Sequence, residues 1–359
     1  MDQNRQTVAV LGCGGFIGSH LVAGLLSSGR YKVLGVDRKS DKIQKYINLE
    51  NFEFTESDIY EDNIVYSIIE KSDVVISLAA ICNPSLYNTI PIEVIESNFV
   101  SPMKIIKICT DLQKWLIHFS TSEVYGKTIY SQFPQELKAS ECDNILHEDS
   151  TPLILGPVQA QRWSYACAKQ LTERLIYAYN QTKQLEYTIV RPFNFIGPGM
   201  DYLPGIDGDG IPRVLACFIE NLLFQKPLLL VDGGKNRRVF TYIDDAVESI
   251  IRIIECQAKN QIFNIGNPDN EVSIEGLAHL MIRIYKELFP EYRNFEYKIE
   301  NVDSKSFYGI GYEDSDRRIP DISKARLILN WKPQTNLEAT LRKTIQLFIQ
   351  DYKAKQKIR

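Results

Sequence analysis

Three features of this 359-residue chain predict an α/β fold built on a doubly wound parallel sheet. Short β-rich runs alternate with longer amphipathic segments, the pattern of parallel strands covered by helices on both faces. The first apolar run, 7–11, leads straight into glycines at 12, 15 and 18. Asp37 closes the second β-rich run, nineteen residues after Gly18. Together these make the sheet Rossmann-type, and the length leaves room for a smaller C-terminal α/β lobe.

Taken in order, the strand at 7–11 precedes a helix over 19–28 and a second strand over 31–36. Further buried strands are expected at 73–78, 115–119, 187–190 and 261–265, with a third strand ending just before Asp58. Apolar periodicity predicts helices over 92–112, 163–184, 212–223, 243–256 and 274–288. Residues 127–161, with Pro134, Pro152 and Pro157, read as a long loop insertion of the kind that forms lids or binding loops. From about Phe193 onward Gly and Pro thicken, marking departure from the sheet. The expected division is therefore 1–192 for the sheet domain and 193–359 for the second lobe. The two are interleaved, because a segment near 240–268 returns to the sheet.

Bulk composition excludes several classes of function. A net charge of -4 gives no general attraction to nucleic acid or to an anionic membrane surface. Seven cysteines without a CxxC pair argue for a reducing compartment and against a structural zinc, and the four histidines lack metal-ligand spacing, so no metal is expected. The opening residues lack the features of a signal peptide, and the longest apolar stretch, around 74–82, is about half a membrane span. The expectation is a cytoplasmic protein without a membrane segment.

A strand followed by Gly12, Gly15 and Gly18 lets backbone approach a pyrophosphate at a helix N-terminus, with Phe16 and Ile17 lining the same turn. Asp37 can accept both ribose hydroxyls of an adenosine and would repel a 2′-phosphate, which favours NAD over NADP; the adjacent Arg38 works the other way. Asp58 and Ile59 are placed for the adenine. Read without a ligand, the same residues are only a tight strand-to-helix turn. Tyr165 and Lys169 lie four apart on a predicted helix, so both side chains share one face, where an ammonium can stabilise a phenolate. Joined to the glycine turn, the pair points to nicotinamide-dependent redox chemistry on an alcohol, with both residues also near the cofactor.

The run Thr121 to Gly126 after a strand, the Tyr165-x-x-x-Lys169 pair, and Arg191 to Asn194 after another strand resemble the extended short-chain dehydrogenase/reductase superfamily, over nearly the whole chain. Within it, residues 120–126, 161–165, 230–235 and 314–320 are similar to nucleotide-sugar enzymes that decarboxylate UDP-glucuronic acid. Residues 78–84, 87–89, 202–208 and 211–217 resemble the UDP-apiose/UDP-xylose synthase branch, and Cys82 matches one of its cysteines. That branch typically carries a second cysteine at the position of Ser122. The next branch, the UDP-4-keto-pentose-forming decarboxylases of the 4-amino-arabinose pathway, carries serine there.

The resemblance implies NAD-dependent oxidative decarboxylation of UDP-glucuronic acid through a 4-keto sugar, giving UDP-apiose, UDP-xylose or both. Release of UDP-4-keto-pentose, or another epimerase or dehydratase reaction, is the alternative; an NAD-sensing binding protein is the non-enzyme reading. A 4,6-dehydratase usually has Asp at the Ser122 position, and a simple 4-epimerase usually lacks the glutamate at 123. Tyr165 and Lys169 would remove the C4 hydroxyl proton while Thr121 holds that oxygen. Glu123 would act beside the substrate carboxylate and manage protons at C5, and Arg318 would approach the sugar. Tyr87 and Arg162 would orient the substrate, Lys235 and Arg238 would meet the diphosphate, and Asn194 and Tyr312 would hydrogen-bond to it. Cys82 and Ser122 would line the region where the ring opens. Solvated charge pairing is the competing reading for Arg318, Lys235 and Arg237, and His118 is expected to be packed rather than catalytic. Relatives of this kind pair through two long helices, so 92–112 and 163–184 imply a homodimer.

Overall fold

The computed structural model describes residues 5–59, 61–127, 145–202, 212–304, 307 and 314–358. Seven parallel strands form the main sheet: β1 (Gln6–Leu11), β2 (Tyr31–Asp37), β3 (Phe52–Glu56), β4 (Val74–Ser77), β5 (Trp115–Phe119), β6 (Tyr187–Pro192) and β7 (Gln261–Ile265). Their order is β7-β6-β5-β4-β1-β2-β3. The chain leaves the β3 edge and re-enters on the far side of β1, so a crevice opens between the carboxyl ends of β1 and β4, where such sheets bind ligands.

Alternation along each strand divides the core in two. Val8 and Val10 point to the face covered by α1 (Phe16–Ser27) and α6 (Ile243–Glu255), where they meet Leu21, Leu25, Ile250 and Ile253. Ala9 and Leu11 point to the opposite face, covered by α2 (Asp62–Glu70), α3 (91–111) and α4 (Ser164–Lys183), among Ile69, Ile106 and Ile176. Helix α3 runs as α-helix over Pro91–Ile95, widens to a π-helical turn over Glu96–Val100, and resumes over Ser101–Asp111. At the widening Asn98 is fully buried, and its Nδ2 donates to Val94 O and Ile81 O, which ties the helix to the loop after β4.

The second lobe has its own core, made by α5 (Val214–Leu223), α7 (Ile274–Leu288) and α9 (Leu337–Ile358) around a parallel pair of strands, Leu228–Val231 and Ile299–Val302. The interleaving goes further than the expected 240–268 return. Helix α8 (Ser323–Leu329) and Trp331 also pack on the sheet side, with Trp331 Nε1 donating to Asp245 O at 2.9 Å, before α9 goes back to the lobe. Helices α2, α8 and α9 were not expected from the apolar periodicity. Helix α1 starts at Phe16 rather than 19, because Gly15 serves as its N-cap and Gly18 already sits in its first turn. Of the expected insertion, residues 127 and 145–161 are described; within them Ile145–Leu146 pairs in parallel with Ile319–Pro320. No described helix is long and apolar enough to cross a membrane.

Candidate active site

Two cavities meet at the carboxyl ends of the strands. The larger, about 1590 Å3, is walled by Gly12, Gly15, Gly18, Asp37, Asp58 and Ile59. Gly12 has φ 98°, reachable cheaply only by glycine, and a Cβ on Gly18 would stand 2.1 Å from Gly12 O. A Cβ on Gly15 would meet nothing nearer than 3.4 Å. Its smallness therefore serves the open side, where a pyrophosphate lying on the α1 N-terminus needs close backbone approach. Gly14, which the sequence motif passes over, is pressed against Lys39 O at 2.1 Å for an added Cβ. Asp37 accepts from Gly14 N at 2.9 Å and Lys39 N at 3.1 Å, so its carboxylate is fixed at the rim where a ribose would sit. Arg38 lies 3.8 Å from Asp58 across the same rim. This donor set and steric cradle fit a dinucleotide.

The second cavity, about 700 Å3, adjoins the first along Phe16, Ile17, Leu78, Ala80, Cys82 and Arg213. Helix α4 carries Tyr165 and Lys169 into it, as their spacing predicts, and both are buried. Lys169 Nζ, however, donates to Phe119 O at 2.8 Å, at the end of β5, instead of reaching the phenol. Burial drops the lysine pKa to about 8, against partial support from Cys82 and Glu173. Burial pushes the Tyr165 phenol well up, and Cys82 and Glu123 add to the rise; a hydrogen bond from Thr121 and the charge of Arg213 pull it back. Tyr87, 1% exposed, stacks on Tyr165 with ring centroids 5.2 Å apart and planes 15° from parallel.

Thr121 and Glu123 come from the turn after β5. Thr121 caps a 3-10 turn, Ser122–Tyr125, its hydroxyl accepting from Glu123 N at 3.1 Å; Ser122 is buried beside it. The Glu123 carboxylate is gripped by Arg162, Nη1 to Oε2 at 2.6 Å and Nη2 to Oε1 at 3.1 Å. Arg162 also lies 3.7 Å from Asp314, and its guanidinium stands 5.6 Å from the Tyr87 ring centre.

Asp314 gathers the remaining cations. Arg238 Nη2 donates to it at 2.5 Å, and Arg318 Nη2 lies 3.8 Å away. Burial would raise its carboxyl pKa, but Arg238, Arg162 and Arg318 overcome that and hold it well below the usual carboxylate range. Arg318, 6% exposed, is lowered to about 10 by burial and by the neighbouring Arg238, against the attraction of Asp314 and Glu123. Its Nε is buried without a hydrogen-bond partner among the described residues. The pairing with Asp314 therefore exists, but inside the cavity wall rather than in solvent. Arg317, next in the chain, turns away and holds Glu271 at 2.5 and 2.9 Å.

Of the other expected residues, Asn194 lines the cavity with φ 39°, its Nδ2 donating to Val239 O at 2.8 Å. Cys82 opens onto the cleft, and crowding by protein raises its thiol pKa against the pull of Arg213. Lys235 is exposed and off the cavity wall, while Arg238 from the same turn lies in it. Tyr312 lies outside the described residues. His118 is buried, neither ring nitrogen has a hydrogen-bond partner among the described residues, and burial lowers its pKa well below the ordinary value. No group of three His, Cys, Asp or Glu side chains among the described residues could hold a metal.

Sequence reasoning missed Arg213, which lines both cavities and is held by Asp201 Oδ2 at 3.1 Å and Met200 O at 2.8 Å. It also missed Asp314 as the centre of the arginine cluster. Neither stands in a spacing pattern; both lie in segments that carry the family resemblance, 211–217 and 314–320, which gave no role to either residue.

The chain is similar to known proteins in sequence and in fold. The model of the NAD dependent epimerase/dehydratase family matches residues 8–266. UDP-D-apiose/UDP-D-xylose synthase 1 of Arabidopsis thaliana is 47% identical over 351 residues, covering 94% of this chain and 90% of that protein. The UDP-D-apiose/UDP-D-xylose synthase of Oryza sativa subsp. japonica is 46% identical over 97% of this chain and 90% of its own. Among solved structures, the PbgP3 protein from Burkholderia pseudomallei superposes with a TM-score of 0.84 at 32% identity, over 98% of this chain and 99% of that one. The UDP-glucuronic acid 4-epimerase from Bacillus cereus, in complex with UDP-glucuronic acid and NAD, shares the fold with a TM-score of 0.77 at 24% identity, over 97% and 100%.

Proposed function

Because the chain belongs to the NAD-dependent epimerase/dehydratase family, we propose that it oxidises UDP-glucuronic acid at C4, releases the sugar carboxyl as carbon dioxide, and forms UDP-apiose, UDP-xylose or both. The observation that carries this reading is the ring of Arg162, Arg238 and Arg318 around the cavity that holds Tyr165 and Glu123. Three guanidinium groups face two carboxylates, Glu123 and Asp314, and the unpartnered Nε–H of Arg318 is a buried donor that a ligand oxygen would satisfy. An anionic sugar suits such a site; a neutral hexose would leave it unsatisfied.

What NAD supplies when bound is a reversible hydride acceptor. Gly12, Gly15, Gly18 and the Asp37 carboxylate are the residues that would hold it. Tyr165 takes the proton of the C4 hydroxyl, with Thr121 sharing that oxygen. A C4 ketone stands β to the carboxyl carbon, so its carbonyl accepts the electron pair released when carbon dioxide leaves. Glu123, at the substrate carboxylate, disfavours the charged ground state and then manages the proton at C5. Arg318 and Arg162 orient the sugar, and Arg238 meets the diphosphate. Cys82 and Ser122 line the place where a ring opening between C2 and C3 would precede closure to apiose. With serine at 122 a hydroxyl relays the proton there, and premature release of UDP-4-keto-pentose is the competing outcome.

A homodimer through α3 and α4 fits an apolar stripe exposed along both: Ile92 and Met103 on one, Leu171 and Tyr177 on the other. A cytoplasmic location fits the six described cysteines, all free. Incubation of the purified protein with UDP-glucuronate, followed by NMR of the sugars and trapping of carbon dioxide, tests the function. UDP-apiose with UDP-xylose is expected. UDP-4-keto-pentose with stoichiometric NADH moves the protein to the other branch, and no carbon dioxide overturns the reading.

A further inference from the structure

Behind the cavity, at the end of β7, Asn264 is fully buried and uses both ends of its amide. Oδ1 accepts from the Tyr125 hydroxyl at 2.8 Å. Nδ2 donates to Leu146 O at 2.7 Å and to Asp321 O at 3.3 Å. Its backbone N–H is taken by Glu148 Oε1 at 2.9 Å. Each contact leads to the active site by a short path. Tyr125 ends the 3-10 turn that begins with Ser122 and Glu123. Leu146 and Pro320 are ladder partners, and Pro320 lies two residues from Arg318. Glu123 and Arg318 in turn feel each other's charge.

We propose that Asn264 is a positioning residue: its amide fixes the Glu123 turn and the Arg318 strand at one separation across the sugar site. The proposal rests on the function assigned above, since only a sugar acid needs both groups at once. The two arms are chemically distinct, the oxygen serving the turn and the nitrogen serving the strand, so no apolar residue of similar size supplies either. Rigid support of this kind matters because a misplacement of about 1 Å at reacting groups costs on the order of a hundredfold in rate. Neither Asn264 nor Tyr125 lines the cavity, so a change at either reaches the substrate indirectly, through the elements that they hold.

Asn264→Ala cuts both arms and is the direct variant, but it takes the acceptor from the buried Tyr125 hydroxyl and can fail to fold. Tyr125→Phe cuts the turn arm and takes one contact from Arg191, whose Nη1 also donates to that hydroxyl, but leaves Arg191 on Glu148 O and in its pair with Glu173. Active sites are counted by NAD titration; kcat is read from carbon dioxide release, and UDP and NAD affinities from calorimetry. A kcat at least about fivefold lower per active site, with UDP and NAD affinities within about twofold of the parent, is expected for Tyr125→Phe and for any folded Asn264→Ala. Any other result for Tyr125→Phe, including affinities that fall in step with kcat as for plain structural damage, overturns the proposal. A parent that releases no carbon dioxide defeats the functional reading instead. The tie is then judged by the same fivefold rule on the ratio of UDP-glucuronate to UDP affinity.

Discussion

Arg162 holds both carboxylate oxygens of Glu123 while standing 3.7 Å from Asp314, so one buried guanidinium serves two acids. The pair is not a surface ornament: the Arg162 side chain is 4% exposed and the Glu123 side chain 16%. A bidentate fork of this kind fixes the carboxylate plane as well as its charge. The Glu123 charge is still felt beyond that fork, by Tyr165 and Arg318, so the substrate carboxylate enters beside an acid that is held in place and still charged.

Glu123→Gln keeps the size and one acceptor but removes the charge. Carbon dioxide release is expected to fall by about 10²–10⁴-fold, the usual worth of a positioned acid or base, with UDP affinity unchanged. Arg162→Lys keeps the charge but loses the fork, and is expected to lower kcat while leaving the fold intact. Radiolabelled carbon dioxide release beside UDP calorimetry separates the two effects; equal turnover by Glu123→Gln removes Glu123 from the chemistry.

Tyr165→Phe takes away the oxygen that Thr121 touches but leaves the stacking on Tyr87. Loss of kcat by about 10²–10⁴-fold is expected, with NAD still bound through the glycine turn. A phenylalanine variant with parental turnover would remove Tyr165 from the proton transfer.

Lys169 makes a signed prediction in pH. Its folded pKa, about 8, lies below the ordinary 10.5, so between those values the folded chain binds fewer protons than the unfolded one. Stability of the nucleotide-free protein is then lowest below pH 8 and climbs as pH rises through the window, by about 3 kcal/mol in all. Lys169→Met removes the titration. Denaturant melts of parent and variant from pH 7 to about 10.5 should diverge in slope across that window; parallel profiles would place the lysine pKa near normal.

Strand β5 coincides with the apolar run at 115–119, because a strand buried on both faces reads as a nearly continuous hydrophobic stretch. Helix α9 escapes that reading: its buried stripe, Leu341, Ile345, Phe348 and Tyr352, is diluted by lysine and glutamine on the outer face. The same contrast holds in the site. Tyr165 and Lys169 sit on one helix, so their spacing alone makes them neighbours. Asp314 meets Arg162 and Arg238 only through the tertiary fold, across 152 and 76 positions of sequence, and no local pattern announces such a meeting. The contact of Lys169 with Phe119 O is of the same kind, since a backbone carbonyl carries no sequence signature.

The exposed apolar stripe on α3 and α4 predicts an oligomer that a single charge breaks. Leu171, 48% exposed, lies on α4, and Leu171→Glu is expected to convert a dimer to monomer in sedimentation experiments while leaving the melting temperature of the monomer near the parent's. A parent that sediments as a monomer at micromolar concentration removes the dimer.

Asp37 is expected to control cofactor choice at a cost to its own loop. Its two oxygens accept from Gly14 N and Lys39 N, so the carboxylate both repels a 2′-phosphate and shapes the turn that cradles the pyrophosphate. Asp37→Asn keeps one acceptor oxygen and removes the charge. NADP affinity should rise because the repulsion is gone and Arg38 stands beside the pocket; NAD affinity should fall because one backbone donor loses its partner and the ribose loses a charged acceptor, a hydrogen bond of about 1.5–3 kcal/mol. Asp37→Ala removes both acceptors and should weaken both cofactors, since the Gly14 and Lys39 N–H groups are then unsupported. Calorimetric titration of the two dinucleotides against parent and both variants checks this ordering. A gain in NADP affinity by Asp37→Ala as large as that by Asp37→Asn would mean that repulsion alone matters and that the turn is held by something other than Asp37.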